Sequence, residues 1–286
     1  MGKYILAQTL EEALDALETY RDKARVISGG TDLLPLIKSG GIKVDCIVDI
    51  TNITGLNYID YDNKLIRVGA LVTHSDVESS PVINEKAVLL AEASKAVGSV
   101  QIRNRGTLVG NVVNASPASD TSVALIALGA EAKVVSKKGQ RIKKVEELFV
   151  APGLTNLGSH ELVTELRFQG LGLGQGGAFI KLGRRQAVAI SIVNVAVVLA
   201  LDRERNMFSQ ARIGIGAVAP TPLRARRVEE ALTRHLISDE TIENASQEVM
   251  KEVRPISDIR GSADYRREMT SVLTARAIRR AIGRIK

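Results

Sequence analysis

Five glycines fall within eight residues, 170–177, and separate two stretches that follow different patterns. Before this run, short apolar segments alternate with helical patterns. After it, 178–182, 190–201 and 211–218 read as strands, and 223–236, 239–253 and 262–282 as helices. Strands followed by helices favour an α+β architecture over a doubly wound sheet. The glycine run reads as an interdomain linker or a flexible loop. A chain of 286 residues has the length of about two domains.

The first stretch is mixed. Thr9 followed by Glu12 is a capping-box pattern, and Leu10, Ala13, Leu14 and Leu17 recur at helical spacing behind it. Segments 24–28, 46–50, 65–71 and 162–168 read as strands, and 130–136 with 140–145 as a hairpin. Segments 84–97 and 120–128 read as helices, whereas 101–119 reads as irregular. Cys46, in a β-branched strand, reads as a core residue.

Composition removes several classes of function. One cysteine excludes a disulfide framework, a cysteine-based zinc site and a self-contained iron–sulfur cluster. With 3% aromatics and no tryptophan, a base-stacking surface is not expected. The net charge of +7 is uneven: residues 1–200 carry 22 basic and 20 acidic side chains, and 201–286 carry 17 and 12. The C-terminal excess is mostly arginine. It reads as a solvated surface, an acidic protein partner or, last in rank because no reader motif accompanies it, nucleic acid. The longest apolar stretch, 187–201, contains Ser191 and Asn194 and is too short for a membrane span. No targeting segment is visible, so a soluble cytoplasmic protein is expected. His74, His160 and His235 are scattered and read as surface or capping residues.

Four segments are candidates for holding a ligand. Gly172–Gly177 and Gly214–Ala219 imitate the dinucleotide fingerprint. The first runs into a strand, and the second lies in or at the end of one, so neither has the strand-to-helix setting the motif needs. The better pair is elsewhere. In Ile27-Ser28-Gly29-Gly30-Thr31-Asp32-Leu33, a strand ends in two glycines and a cap that opens a short helix through Ile37. Glycines let the backbone turn and approach a ligand, and free N–H groups at a helix start suit an anion. The run 101–120 is long, polar and irregular yet carries apolar residues. A large polar cofactor, or its own Asn and Ser side chains, would have to satisfy its backbone.

These segments carry a resemblance. Ser28-Gly29-Gly30-Thr31-Asp32, then Ile102-Arg103-Asn104-Arg105-Gly106-Thr107-Leu108-Val109-Gly110-Asn111, then Ser116-Pro117-Ala118-Ser119-Asp120, resemble the FAD-binding medium subunit of the molybdenum hydroxylases. That family includes carbon monoxide dehydrogenase, bacterial xanthine dehydrogenase, aldehyde oxidoreductases and 4-hydroxybenzoyl-CoA reductase. Phe179–Arg185 and Gly214–Pro222 look like its C-terminal landmarks, so the similarity spans essentially the whole chain, in order.

The resemblance implies a fold like the vanillyl-alcohol-oxidase flavoproteins. An FAD-binding domain over 1–170, in subdomains of about 1–55 and 56–170, would precede a C-terminal α+β domain over 178–286 with a three-stranded antiparallel sheet and helices. It implies that Gly29, Gly30, Thr31, Asp32 and Leu33 hold the FAD pyrophosphate, with Ile27 and Ser28 leading in. Thr107, Gly110 and Asn111 would form a second phosphate-side loop. Ser116, Ser119 and Asp120 would reach the ribityl chain or a phosphate, Leu162 the adenine or flavin side, and Lys181 the flavin ring. One departure is Val109, where the family usually has a first glycine of a pair; its side chain either crowds the phosphate or points away. The single cysteine rules out the subtype that carries an inserted four-cysteine cluster.

The implied role is electron transfer, with no acid–base residue needed in this chain. A molybdenum-cofactor large subunit would oxidise the substrate and a [2Fe–2S] small subunit would pass electrons to FAD here, and on to NAD⁺, oxygen or a quinone. The assembly implied is a heterotrimer that dimerises. Two alternatives keep the fold: a scaffold subunit with weak or lost FAD binding, and a self-standing flavin reductase.

Overall fold

The computed structural model describes residues 2–185, 187–202, 204 and 206–285. The chain opens with β1 (Lys3–Leu6), α1 (Leu10–Tyr20), β2 (Ala24–Ile27), α2 (Leu33–Lys38) and β3 (Cys46–Asp49). Thr9 caps α1 by accepting from the Glu12 N–H, while the Glu12 carboxylate takes the Gln8 N–H rather than closing the full box. The three strands form a parallel sheet in the order β1-β3-β2. Cys46 and Val48 are fully buried in β3, which puts the single thiol in the core.

The second unit begins with the antiparallel pair β4 (Ile59–Asp62) and β5 (Leu65–Gly69). Short helices follow: α3 (His74–Ser79), α4 (Pro81–Lys86), α5 (Val88–Lys95), α6 (Val100–Arg103), α7 (Leu108–Val113) and α8 (Asp120–Leu128). The hairpin β6 (Glu131–Ser136) and β7 (Gly139–Lys144), the small pair β8 (Phe149–Ala151) and β9 (Leu154–Thr155), and β10 (Leu162–Gln169) complete it. The main sheet is antiparallel, in the order β4-β5-β10-β6-β7.

Two expectations change here. The segment read as irregular contains α6 and α7, and the helix expected over 84–97 is two helices broken at Ala87 (φ −152°). Ser99, Thr107 and Ser119 each accept from the N–H three residues on, and so start α6, α7 and α8 in turn. A hydroxyl every several residues therefore restarts the helix, in a sequence whose glycines and asparagines would otherwise read as loop.

The C-terminal unit has β11 (Gln175–Leu182), β12 (Val193–Asp202), β13 (Met207–Gly216) and the short β14 (Leu223–Arg224), hydrogen-bonded in that order and antiparallel. It adds one short strand to the three expected. The helices α9 (Arg226–Leu232), α10 (Asp239–Glu248) and α11 (Ala263–Ile282) follow. β12 is buried on both faces, which explains its continuous apolar sequence. Ala196 and Val198 face the core of the first domain, whereas Val193, Val195, Val197 and Leu199 face the second core.

The glycine run is not a free linker. Gly176 and Gly177 belong to β11, and a Cβ on Gly176 would lie 2.2 Å from the Ala281 carbonyl oxygen of α11. Gly214 has the same role on β13, where a Cβ would lie 2.3 Å from the Val123 carbonyl oxygen of α8. Both fingerprint-like motifs are thus contacts of backbone on backbone. All nine residues of α8 are buried, because this helix lies at the junction of the two domains. Glu92 fastens that junction: its carboxylate accepts from Arg284 (2.6 Å), from Arg280 and from the Phe179 N–H (3.1 Å). Part of the C-terminal arginine excess is therefore spent within the chain. Among the described residues, no helix is long and apolar enough to cross a membrane.

Candidate functional site

Parallel strands point their carboxyl ends the same way, and the loops leaving those ends form a natural ligand crevice. In the first sheet β2 leads into Ser28 and Gly29, and β3 leads into the polar loop from Thr51 to Asn57. These two loops form one side of a cleft of about 310 Å³. The second unit supplies the other side through Leu71 and Thr73, ahead of α3, and Asn104, Arg105 and Thr107, between α6 and α7.

The two glycine-bearing loops meet at this cleft. A Cβ on Gly29 would sit 2.0 Å from the Arg105 carbonyl oxygen, so only glycine permits the approach. Gly30 follows with φ +71°, a left-handed turn that points the chain into α2. The Ser28 and Thr107 hydroxyls share a hydrogen bond of 3.0 Å, and Thr107 Oγ1 also accepts from the Gly110 N–H at 3.0 Å. Thr107 is thus both the cap of α7 and the tie between the two sides of the cleft.

His74 supports the second loop from behind. Its backbone N–H donates to the Gly106 carbonyl oxygen at 3.0 Å, and its ring lies beside Gly106. The residue is 2% exposed, which corrects the surface or capping role expected of it. Burial, helped by the nearby Arg103 charge, pulls its pKa down to about 4, so the ring is neutral at pH 7. Its Nδ1 is buried without a hydrogen-bond partner among the described residues.

The remaining residues singled out in the sequence have varied places. Thr31 lies close to Gly106, and Ile27 packs under Gly30. Asp32 starts α2 without the side-chain cap expected of it, and α2, with Leu33 at its head, contains no buried residue. Asn111 Oδ1 accepts from the Thr121 hydroxyl (2.7 Å) and from that of Ser119, tying α7 to α8. Ser116 accepts from the Ala118 N–H at 3.3 Å in the turn between those helices. Val109 is 5% exposed and packs in the first core, so its side chain points away from the cleft. Leu162 is a core residue of β10.

Asp120 and Lys181 lie together at the domain junction. Lys181 Nζ donates to Asp120 Oδ2 (2.6 Å) and to the Ala96 carbonyl oxygen (2.9 Å). Asp120 Oδ1 accepts from Ser191 (2.7 Å) and from the Asn194 amide (2.6 Å). Burial pushes the Asp120 pKa up, and the lysine and the three hydrogen bonds oppose that shift. The cleft lining includes neither residue.

Sequence reading missed the wall from Thr51 to Asn57 and also Thr73. Its signal was the alternation Thr51-Asn52, Thr54-Gly55, Asn57 directly after an apolar strand. Asp49, at the end of β3, shapes that wall: its Oδ1 accepts from the Thr51 N–H (2.8 Å) and hydroxyl (2.6 Å), and its Oδ2 from the Tyr4 hydroxyl. The cleft therefore offers three asparagine side chains, several threonine hydroxyls and one arginine, with no carboxylate among the described residues that line it. That donor set fits a large, polar, anionic cofactor such as a flavin dinucleotide.

Comparison with known proteins agrees with this geometry. Residues 1–168 match the family model of the FAD-binding domain in molybdopterin dehydrogenase, and residues 178–281 that of the CO dehydrogenase flavoprotein C-terminal domain. The chain belongs to the FAD-binding medium subunits of the molybdenum hydroxylases, and is an oxidoreductase subunit whose cofactor is FAD. It is 33% identical over 276 residues to the glyceraldehyde dehydrogenase medium chain of Sulfolobus acidocaldarius, covering 96% of each chain. It is 32% identical to the nicotine 6-hydroxylase medium subunit of Paenarthrobacter nicotinovorans, covering 96% of this chain and 95% of that one. Among solved structures, a chain of carbon monoxide dehydrogenase from Hydrogenophaga pseudoflava superimposes with a TM-score of 0.96 at 29% identity, covering 100% of this chain and 98% of that one.

Proposed function

We propose that this subunit takes electrons from the [2Fe–2S] clusters of a small partner subunit and delivers them through FAD to an external acceptor: NAD⁺, oxygen or a quinone. A large partner subunit with the molybdenum cofactor would oxidise the substrate. The observation that carries this reading is the meeting of the Ser28–Gly30 and Arg105–Thr107 loops at one polar cleft, lined by no carboxylate among the described residues.

In this reading residues 1–170, as subdomains of about 1–55 and 56–170, hold the cofactor, and 178–286 brace it. Ile27 to Leu33 and Thr107, Gly110 and Asn111 serve the diphosphate side, with Ser116 and Ser119 behind them. Asp120 and Lys181 fix the domain junction next to the flavin side, and Leu162 supports that side from the core. When bound, FAD supplies the exchange between one-electron and two-electron carriers. The chain's own residues bind and orient it, and none of them has to move a proton.

Co-expression with the molybdenum and iron–sulfur chains tests the proposal. A purified complex should contain molybdenum, iron and FAD, and its flavin absorbance should bleach when the substrate of the complex is added. A complex whose flavin stays oxidised while its clusters are reduced would overturn it.

A further inference from the structure

Thirteen of the described residues line the cleft, and Arg105 is the one charged residue among those. Arg105 is exposed, and its guanidinium has no ion pair or hydrogen bond with any other described residue. Its neighbour in the sequence contrasts with it: Arg103 pairs with Glu78 at 2.9 Å and also donates to the Val97 carbonyl oxygen. The backbone of Arg105 is fixed as well, because its N–H donates to the Ile102 carbonyl oxygen and its own carbonyl abuts Gly29. An arginine without a charge partner among the described residues thus belongs to a backbone-fixed loop that lines the cleft.

We infer that Arg105 supplies the positive charge that pairs with the diphosphate of the bound dinucleotide. This rests on the reading of the cleft as the FAD site and adds to it one residue and one selectivity. The backbone N–H groups of the glycine loops give a diphosphate partial charges, whereas Arg105 gives it a full counter-charge with several donors. None of the described residues that line the cleft is a carboxylate, so the lining itself gives Arg105 no counter-charge. The affinity of this chain for diphosphate ligands should therefore depend on ionic strength, and its affinity for the uncharged flavin should not.

The experiment measures equilibrium binding of FAD, ADP and riboflavin to the apoprotein of the full chain, for wild type, Arg105→Gln and Arg105→Lys, at low and high salt. We expect Arg105→Gln to weaken FAD and ADP at least about tenfold at low salt, and to lose much of their salt dependence. Riboflavin binding should not change, and Arg105→Lys should restore part of the ADP affinity. Equal FAD and ADP affinities in wild type and Arg105→Gln would overturn the inference, as would an equal loss for riboflavin. Wild type that binds neither FAD nor ADP would instead overturn the reading of the cleft itself. Unchanged thermal unfolding of Arg105→Gln excludes a folding defect as the cause of any loss.

Discussion

The Gly29-Gly30 pair and the Gly214–Gly216 segment use the same residue for opposite ends. At Gly29 the absent side chain lets two loops meet, and their outer surfaces open onto a cleft. At Gly214 and Gly216 the absent side chains let β13 press against α8 and the Pro117 turn, and nothing opens. A glycine motif therefore gains meaning only from its place in the fold. At the carboxyl end of a parallel strand it can serve a ligand; within a strand under a helix it serves packing.

Substitutions should separate the two roles. Gly214→Val puts a branched side chain where even a Cβ lies 2.3 Å from the Val123 carbonyl oxygen. It should destabilise the chain by about 3 kcal/mol or more, seen as a large fall in the thermal midpoint or as insoluble protein. A folded variant of normal stability would show that Gly214 is not required for β13 to pack against α8.

His74 gives the next largest effect, through pH. Its folded pKa of about 4 lies below its ordinary value of 6.5, so the protonated ring is disfavoured in the folded state. The stability it contributes is complete above pH 6.5 and is lost progressively as the pH falls to about 4. The loss is about 3 kcal/mol over that window. The difference in thermal midpoint between wild type and His74→Phe should shift across the window in that direction. A pH-independent difference would show that the ring is not buried neutral behind the Gly106 loop.

Gly29→Ala should act on the cleft more than on the fold. Separating the Gly29 and Arg105 backbones should lower FAD affinity at least about tenfold, while stability falls by about 1–2 kcal/mol. Should the variant retain FAD like wild type, the contact of the two loops would not be what shapes the site. The smallest effect belongs to Gly55, in the cleft wall, at φ +84° with open space for 4 Å around the point where a Cβ would stand. Gly55→Ala should cost about 1 kcal/mol from the left-handed backbone alone, with no change in packing. A larger loss in calorimetry would mean that the open space there is already used.

The contrast also marks how far the sequence was legible. The domain order, most strands and the two loops of the cleft followed from period, glycine placement and family motifs, because these are local patterns. The wall from Thr51 to Asn57 did not, since it carries no glycine pair and joins the site only when β2 and β3 lie side by side. His74 was misread because Thr73-His74-Ser75-Asp76 is polar in sequence, and burial of the ring depends on Gly106, a distant residue. Gly176 and Gly177 read as linker because the helix that presses on Gly176, α11, lies about a hundred residues later. Val109 read as either crowding a phosphate or pointing away, and its place on α7 turns it into the core.

Whether the cleft between the two glycine loops holds FAD is decided by the flavin content of the purified chain. The visible absorbance spectrum of the purified chain, with extraction and quantification of the released flavin, tests it most directly. A yellow protein with one FAD per chain is expected, or a colourless one that recovers that ratio on incubation with FAD. A folded protein that stays colourless after incubation would contradict it.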